Sequence, residues 1–587
     1  MKRKKAPPVF KEYTMGQLIL LPTDLDELIA PHHLVRVVNT FVEQMDLAPL
    51  LARYKGGGTS SYHPKMMLKV FIYAYTQKIF SSRRIAKALR ESIPFMWLSG
   101  NNRPDFRTIN RFRGEILKGI IEEVFLAILS LLIEGGYVKL EDYFVDGTKV
   151  EANANRYTYV WAKSNQRYQK QLAEKVAALF EEIERLNAEE NARYGDRDLE
   201  EVGEDGPIDP HKLEQRVAAL NAHLQSEAQA PAPAEEDPPA AAGPRLSDVL
   251  ESKLQEVQQA LAENPDNKNL AKAAKLLEKD YLPRARKYED QERRLAGRNS
   301  YSKTDPDATF MRLKDDHLGN GQLKAAYNVQ LGTENQFVVG FSLHQEAGDA
   351  NCLVPHLEGV KRSLGRLPQK ANGDAAYGSE ENYAYLEREQ VDNYLKFGGF
   401  DREQKKRYQP DPFKAENMPY DLERDRFTCP SGKRLRYRWT EHRMTKNGYP
   451  TERRVYECES CQDCPLKEKC TRAAGNRQVR VSFQLWAYRQ QARENLLSEE
   501  GQRLRSQRGV DVESVFGRVK EDWGFRRFLT RGLEKVTVEW GLLSLAHNLS
   551  KVWSAENEPK SAEGSPASFC LPLEFPRFSL ACHWGLP

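Results

Sequence analysis

The sequence predicts an α/β protein in which a mixed sheet follows a helical domain and is interrupted by a long helical insertion. Apolar residues recur at helical spacing up to about residue 135, as in the stretch Thr23–Met45. Between residues 161 and 298 the chain is rich in Ala, Glu, Lys, Gln and Leu, which favours long helices. After residue 300 apolar and polar residues alternate, which is typical of strands.

The N-terminal domain, residues 1–135, is predicted to be all-helical. Serines at 81–82 and the Pro-Asp pair at 104–105 mark the starts of two short helices. Both helices are basic at their first turns, which permits contact with DNA phosphates. The alternative is an ordinary bundle with solvated arginines, because the stretch lacks a firm helix-turn-helix signature. The candidate DNA-binding residues here are Arg83, Arg84, Arg107 and Arg111.

The helical insertion, residues 161–298, is predicted to be a hairpin or coiled-coil-like arm, because apolar residues recur three and four apart. A low-complexity linker at about 226–244 and the tail at 553–587 are expected to be disordered. The insertion contains no catalytic constellation, so we interpret it as a spacer or an oligomerisation arm.

The sheet is predicted from a first strand at Tyr143–Val145 and a hairpin of strands Lys324–Leu331 and Gln336–His344. Alternating helices and strands follow. When the insertion is removed, residues 136–160 and 299–552 therefore form one mixed α/β domain that begins with a three-stranded meander.

An acidic residue follows the first strand in an unusual setting. Asp146 comes directly after apolar Val145 and is followed by Gly147. An ordinary Asp-Gly turn explains this locally, and a metal ligand at a strand end is the alternative. Asp374 repeats the arrangement, because it also stands where a strand gives way to a loop and a helix. Glu513, on a late helix, completes a possible trio.

Three such carboxylates suit phosphodiester chemistry. Two Mg²⁺ ions about 3.5–4 Å apart activate the nucleophile and neutralise the leaving oxygen, and hard cations prefer oxygen ligands. Basic residues after Glu513 suit the DNA backbone. The alternative is that Glu513 is an ordinary solvated helical glutamate. The basic candidates are Arg518, Lys520, Arg526 and Arg527.

Several blocks resemble one family. The sequence contains "YHPKMMLKVFIYAY", "YFVDGTKVEANANR", "ANGDAAYGSEEN" and "VESVFGRVKEDWGFRRF" in that order. These blocks are similar to those of the DDE transposases of bacterial insertion sequences, which have an RNase H-like catalytic domain. The resemblance implies that Asp146, Asp374 and Glu513 are catalytic and hold two Mg²⁺ (or Mn²⁺) ions. It also implies a synaptic homodimer that binds terminal inverted repeats and target DNA.

The sequence departs from a related branch of the family, which carries a tyrosine, an arginine, the glutamate and a lysine at set spacing. The lysine matches at Lys520. Ser506 stands in the tyrosine position, and Gly509 stands in the arginine position with Arg508 one place away. The resemblance therefore supports Glu513 and Lys520, and it supports Arg508 as a DNA contact only weakly.

Five of the eight cysteines crowd into residues 425–475. Their spacing is typical of a zinc-ribbon-like insert with a structural Zn²⁺ site, and reduced thiols without metal are the alternative. Five candidates compete for four positions. The family's insert favours Cys429, Cys461, Cys464 and Cys470, with Cys458 as a possible substitute.

The bulk properties exclude a membrane protein, because no stretch approaches the about 20 apolar residues that span a bilayer. The start lacks the apolar segment of a signal peptide, so we expect a cytoplasmic, nucleoid-associated protein. The predicted function is a DNA transposase that cleaves transposon ends and transfers strands into target DNA. The alternatives are an RNase H-like nuclease without strand transfer and a catalytically silent, transposase-derived DNA-binding protein.

Overall fold

The structure is a computed structural model. It divides into two compact units, one formed by residues up to 131 together with those from 542 onward, the other by residues 132–541. The predicted linker at 226–244 lies outside the described residues, as do residues 558–587 of the predicted tail. The described residues are 24–54, 61–155, 158–194, 245–263, 265–313 and 323–557.

The first unit is helical, as predicted. Its central helix, Pro64–Thr76, is buried along nearly its whole length, because its own side chains are mostly apolar on every side. The helices are α1 (Leu34–Gln44), α2 (Ala48–Leu51), α3 (Pro64–Thr76), α4 (Ser82–Glu91), α5 (Ile93–Leu98), α6 (Phe106–Arg111) and α7 (Ile121–Glu134).

The last described helix, Leu533–Asn557, contributes its end to this first unit. The indole Nε1 of Trp553 donates to the backbone oxygen of His32 at 2.6 Å. Two expectations differ from the structure here. Residues 542–552 group with the N-terminal helices, and residues 553–557 are helical rather than part of a tail, because apolar Val552 remains buried against this unit.

The second unit is built on a mixed six-stranded sheet, which confirms the predicted α/β class. The strands lie in the order β4-β5-β1-β7-β8, with β6 also on β5. Strand β1 is antiparallel to β5 and parallel to β7, and β7 is parallel to β8. The bounds are β1 (Asp142–Glu151), β4 (Thr309–Arg312), β5 (Leu323–Glu334), β6 (Phe337–His344), β7 (Lys370–Gly373) and β8 (Asp392–Leu395). A short pair, β2 (Tyr159–Trp161) and β3 (Ser300–Ser302), stands apart.

Two predicted boundaries were wrong. Strand β1 continues past Val145 to Glu151, because β5 pairs with it as far as Ala326. Asp146 therefore lies within a strand and not at its end. The β5–β6 turn consists of two residues, Asn335 and Gln336, both with positive φ (53° and 63°), which matches the twist of a two-residue hairpin.

The helical insertion forms its own small apolar core. Leu172, Leu250 and Leu277 are fully buried within it, which explains the spacing of apolar residues in this region. Its helices are α8 (Ala162–Tyr194), α9 (Leu246–Glu263), α10 (Lys268–Leu276) and α11 (Leu282–Leu295), with a π-helical turn at Leu277–Tyr281.

The cysteine-rich region is a five-stranded antiparallel sheet in the order β13-β12-β11-β10-β9. Its strands are β9 (Tyr420–Asp421), β10 (Arg426–Thr428), β11 (Arg434–Met444), β12 (Pro450–Cys458) and β13 (Gln478–Val481). The remaining helices of the unit are α12 (Leu353–Leu364), α13 (Glu380–Arg388), α14 (Phe400–Glu403), α15 (Lys467–Cys470), α16 (Phe483–Leu497), α17 (Glu499–Arg508) and α18 (Ser514–Gly517). Within the described part of the chain, no helix is long and apolar enough to cross a membrane.

Candidate active site and cysteine cavity

Asp146 lies on β1, and Asp374 directly follows the neighbouring parallel strand β7. Val145 on β1 pairs with Gly373 on β7. Asp146 and Asp374, which follow this pair, therefore lie side by side at the same edge of the sheet. Asp146 is buried, at 8% exposure, and one of its oxygens accepts from the N–H of Gly147 at 2.9 Å. Asp374 is half-buried and accepts from the N–H of Ala376 at 2.9 Å. The register thus joins two carboxylates that are far apart in the sequence.

Buried Tyr377 connects the Asp374 loop to strand β5. Its hydroxyl donates to the side-chain oxygen of Gln330. Burial raises the pKa of Tyr377 well above its usual value, and the negative charges of Asp349, Asp146 and Asp374 add to that shift. The hydroxyl therefore stays protonated and keeps its role as a donor.

Asp349 is a further carboxylate of this neighbourhood that the sequence reasoning missed. It accepts from the side-chain amides of Asn328 at 2.7 Å and Gln330 at 3.0 Å. A Cβ added to Gly147 would lie 2.6 Å from its Oδ1. Gly147 therefore makes room for the side chains of Asp349 and Gln330. Asp349 stands in a loop with no local pattern to distinguish it.

Arg508 connects the side chain of Glu513 to that of Asp146. The guanidinium of Arg508 lies 3.3 Å from an oxygen of Asp146 and 3.2 Å from an oxygen of Glu513. The side chains of Arg508 and Asp146 are 13% and 12% exposed, and that of Glu513 is 58% exposed. Arg508 therefore binds two of the three predicted carboxylates at once and neutralises a buried charge.

The segment that carries Glu513 is not the regular helix that the sequence predicted. It contains π-helical turns at Gly509–Glu513 and Arg518–Asp522, on either side of α18. Buried Asp511 fixes the first turn to the β5–β6 hairpin, since it accepts from the hydroxyl of Thr333 at 2.5 Å and the N–H of Gln336 at 3.1 Å. Such turns often occur at functional sites.

The carboxylates share one neighbourhood without closing around a cation position. Within the described ranges, no group of three or more His, Cys, Asp or Glu side chains is arranged to hold a metal ion. The donor chemistry nevertheless suits a hard cation, because each candidate ligand near Asp146 is a carboxylate oxygen. Arg508 now supplies the positive charge between Asp146 and Glu513.

The basic residues after Glu513 are mostly engaged with the protein itself. Lys520 is buried, at 8% exposure, and Arg518 lies over the ring of Trp523 at 5.6 Å. Arg527 donates to the backbone oxygens of Ala152 at 3.2 Å and Ala154 at 3.1 Å, and Arg526 pairs with Glu521. Their predicted DNA contacts would require these groups to change partners.

The N-terminal arginines are placed differently. Arg83, Arg84, Arg107 and Arg111 are all exposed. The guanidinium groups of Arg83 and Arg107 lie 5.1 Å and 5.8 Å from the ring centre of Phe106, which brings the starts of α4 and α6 together. The short helices thus present one basic surface around an exposed aromatic ring.

The five clustered cysteines all line one small cavity. Cys458 pairs with Leu435 on the core face of the sheet, and its thiol donates to the backbone oxygen of Ser460 at 3.6 Å. The sulfur of Cys461 accepts from the N–H of Arg477 at 3.3 Å. The hydroxyl of Ser431 lowers the pKa of the Cys464 thiol, as the largest of several effects. The thiols therefore converge on one space, although they do not form a closed metal site.

Two family models match the chain, and both describe transposases. A model described as "Transposase DDE domain" matches residues 428–553, and one described as "Transposase domain (DUF772)" matches residues 23–115. No curated protein and no solved structure matches it. The chain is therefore similar to transposases over these two regions.

Within that class, the two matches confirm the resemblance to the DDE transposases of insertion sequences. The first match contains Glu513 and the five clustered cysteines, and the second contains the four exposed N-terminal arginines. Asp146 and Asp374 lie outside both matches. Their assignment consequently depends on the geometry of the sheet.

Proposed function

We propose that the chain is an active transposase, with Asp146, Asp374 and Glu513 as the catalytic carboxylates of a two-metal-ion site. One observation carries this proposal. The strand register sets Asp146 beside Asp374, and Arg508 joins Asp146 to Glu513. This proximity of acidic residues from three distant parts of the sequence supports the proposal.

The proposed reaction is cleavage at the transposon ends followed by attack of the freed 3′-hydroxyl on target DNA. When bound, two Mg²⁺ or Mn²⁺ ions supply nucleophile activation and charge relief at the leaving oxygen. The chain's own contribution is positional. Asp146 is fixed within a strand, Asp374 by its backbone hydrogen bond, and Glu513 by the docking of Asp511 on the hairpin.

Arg508 has two partners to exchange during this process. While Arg508 pairs with Asp146 and Glu513, its guanidinium supplies the positive charge between the two carboxylates. A DNA phosphate is the natural alternative partner for a guanidinium. We therefore propose that binding of DNA draws Arg508 away from the carboxylates, so that substrate binding prepares the site for cations.

The strand arrangement supports an RNase H-like fold for the catalytic domain. Three neighbouring antiparallel strands, β1, β5 and β6, are followed in the chain by two strands, β7 and β8, that run parallel to β1. The helical insertion falls between the first and second strands of this meander. Its proposed role as an arm in a homodimeric synaptic complex follows from the resemblance.

We also propose a structural Zn²⁺ ion held by Cys429, Cys461, Cys464 and Cys470. Their common cavity supports it, and thiolates are the ligands that Zn²⁺ prefers in structural sites. Cys458 is the spare thiol in this proposal, as the family resemblance implies, although it shares the apolar core of the small sheet with Cys461.

The test is a cleavage assay with Mg²⁺ on DNA that carries the element's own ends. Asp146→Asn, Asp374→Asn and Glu513→Gln are each expected to reduce cleavage by at least about 10³-fold. Glu521→Gln is the matched control, because its side chain is 59% exposed against 58% for Glu513 and it lies on the same segment.

Retained cleavage in all three variants would refute the catalytic assignment. A wild-type protein that binds these DNA ends but never cuts them would identify a catalytically silent DNA-binding protein. Cleavage without joining to target DNA would identify a nuclease.

A further inference from the structure

Strands β11 and β12 form a long basic ribbon. Between Lys433 and Arg454 this segment carries eight Lys or Arg residues against two Glu. Cross-strand partners share one face of a sheet, and one face of the ribbon pairs Trp439 with Val455 and Glu441 with Arg453. We call this the arginine face, and its basic members are Arg436, Arg443, Arg453 and Arg480.

The arginine face has more positive charge than its own acids neutralise. Glu441 is shared by Arg443 at 3.5 Å and Arg480 at 2.8 Å. Arg436 and Arg453 are exposed, and neither forms an ion pair with any residue that the structure describes. The face therefore carries four guanidinium groups and two carboxylates, Glu441, which Arg443 and Arg480 share, and Glu457, the cross-strand partner of Arg436.

Trp439 lies in the middle of this face and is 42% exposed. Its cross-strand partner Val455 is fully buried, whereas the indole keeps a large surface in water. An exposed aromatic ring among unpaired arginines is the combination that nucleic acids bind, through phosphates and base or sugar surfaces.

The tip of the ribbon reaches the loop that carries Asp349. The ammonium of Lys446 lies 3.2 Å from a carboxylate oxygen of Glu346, and the side-chain amide of Asn447 donates to the backbone oxygen of Asn351 at 3.3 Å. Asp349, between these two anchor points, approaches Gly147 beside Asp146. The ribbon thus runs from the cysteine cavity to the neighbourhood of the candidate active site.

We propose that the arginine face binds double-stranded DNA and directs it toward Asp146. The unpaired arginines contact the phosphates, and Trp439 packs against the sugar or base edge. A two-stranded ribbon fits the major groove, which is about 12 Å wide. This inference rests on the proposed function in one respect, since it takes the DNA on the ribbon to be the DNA that is cleaved.

The first test measures DNA binding by the full chain without divalent cations, so that no cleavage occurs. Fluorescence anisotropy follows a labelled 30-bp duplex of the element's end, and an unrelated duplex of equal length, over a series of salt concentrations. The slope of log K for DNA binding against log salt is negative. The variant R436Q/R443Q/R453Q is expected to reduce its magnitude by about 2–3, because each lost phosphate contact removes about 0.9. Affinity at low salt should fall by at least about 30-fold.

Matched variants separate this effect from general loss of charge or fold. R362Q/R366Q/R388Q removes three exposed arginines elsewhere in the same unit and should leave the slope unchanged. R436K/R443K/R453K retains the charge and should keep most of the salt dependence. Trp439→Ala should weaken binding by about 5- to 100-fold, whereas Trp439→Phe should retain most of it.

The proposal is overturned if R436Q/R443Q/R453Q binds both duplexes with wild-type affinity and slope. It is also overturned if these substitutions change only self-association in sedimentation, since the face would then contact a second copy of the chain. Failure of the proposed function looks different. In that case the wild type and Asp146→Asn would cut equally poorly, while the salt slope would still depend on the ribbon arginines.

Discussion

The carboxylate site and the cysteine cavity lie in the same unit, yet they are assembled in opposite ways. Asp146, Asp374 and Glu513 come from three distant segments and meet because strands pair over long sequence separations. The cysteines come from one stretch, Cys429–Cys470, and line a cavity within a single small sheet. One site therefore depends on the topology of the whole domain, and the other depends on local spacing.

The two sites also differ in how their polar groups are satisfied. Each candidate carboxylate already has a hydrogen bond or an ion pair, so the sheet edge is stable with its charges in place. The thiols have few partners, and the small sheet around them has a modest apolar core. We therefore expect a metal ion to be essential for the fold in the cysteine cavity and essential only for chemistry at the carboxylates.

The largest expected effect is loss of zinc from the cysteine cavity. Cys461→Ser together with Cys464→Ser should abolish binding of one Zn²⁺ per chain and unfold the surrounding sheet, because structural zinc contributes about 10 kcal/mol or more to such small folds. Elemental analysis measures the metal, and amide hydrogen exchange across residues 425–481 measures the unfolding.

Cys458→Ser is the matched control for this comparison, and it should keep its zinc. Equal loss of zinc in Cys458→Ser would show that the ligand set is wrong. A purified wild-type chain that folds normally and contains no zinc would show that this cavity does not need a metal ion.

The next effect concerns Arg508. Arg508→Gln leaves the buried charge of Asp146 without its counter-charge, so the free energy of unfolding of the sheet should fall by about 2–4 kcal/mol. Binding of Mn²⁺ without DNA should become about tenfold tighter, because a cation no longer competes with the guanidinium. Paramagnetic resonance of free Mn²⁺ measures the affinity.

Arg503→Gln provides the control, since Arg503 also joins a β1 carboxylate, Asp142, to an acid of its own helix, Glu500. Its side chain is 46% exposed, and it should not alter Mn²⁺ binding. If Arg508→Gln and Arg503→Gln gave the same Mn²⁺ affinity, Arg508 would have no special place between the carboxylates.

A smaller effect is expected at Gly147. A Cβ there would lie 2.5 Å from the amide nitrogen of Gln330 and 2.6 Å from Asp349, and both side chains are fixed by hydrogen bonds. Gly147→Ala should therefore destabilise the sheet by about 1–3 kcal/mol and reduce cleavage, as measured by denaturation and the same DNA assay. Gly348→Ala, with open space around it, should change neither. Wild-type stability in Gly147→Ala would contradict the close packing of β1 against Asp349.

The smallest effect is a pH dependence of the sheet beneath the carboxylates. Burial lowers the pKa of His356 to about 3 and that of His344 to about 4. Below about pH 6.5 the unfolded chain binds protons that the folded chain does not, so stability is complete above pH 6.5 and falls as the pH drops toward 4. Between pH 7 and pH 6 the loss should be about 1 kcal/mol.

Hydrogen exchange of the β1 amides at both pH values checks this dependence. Tyr143 on β1 hydrogen-bonds His356 at 2.7 Å, so these amides report directly on the buried histidine. Substitution of exposed His442 by Gln should leave the dependence intact. A sheet equally stable at pH 7 and pH 5 would contradict the neutral, buried state of both histidines.

The general architecture was predictable because it depends on periodic patterns. Helical spacing located the N-terminal helices, and alternation located the β5–β6 hairpin. The length of β1 was not predictable, because Asp146 and Gly147 are poor strand residues that pairing with β5 retains in the strand. Local propensity was thus overridden by the tertiary pairing of Gly147 with Gln330.

The candidate site was predictable only in part. The family resemblance pointed to the three carboxylates, and the register placed two of them together. The bridging position of Arg508 and the presence of Asp349 follow from side-chain packing across strands and loops, for which the sequence has no local signal. Lys520 is likewise buried within a π-helical turn, which a regular helical period does not anticipate.

The most direct test of the central claim is cleavage of the polypeptide by bound iron. Fe²⁺ in a Mg²⁺ site, with ascorbate and peroxide, generates radicals that cut the nearby backbone. We expect cuts close to Asp146, Asp374 and Glu513, which excess Mg²⁺ suppresses and which are absent in the double variant Asp146→Asn/Asp374→Asn. Cuts that spare two of the three positions, or that persist in the double variant, would contradict a shared metal site.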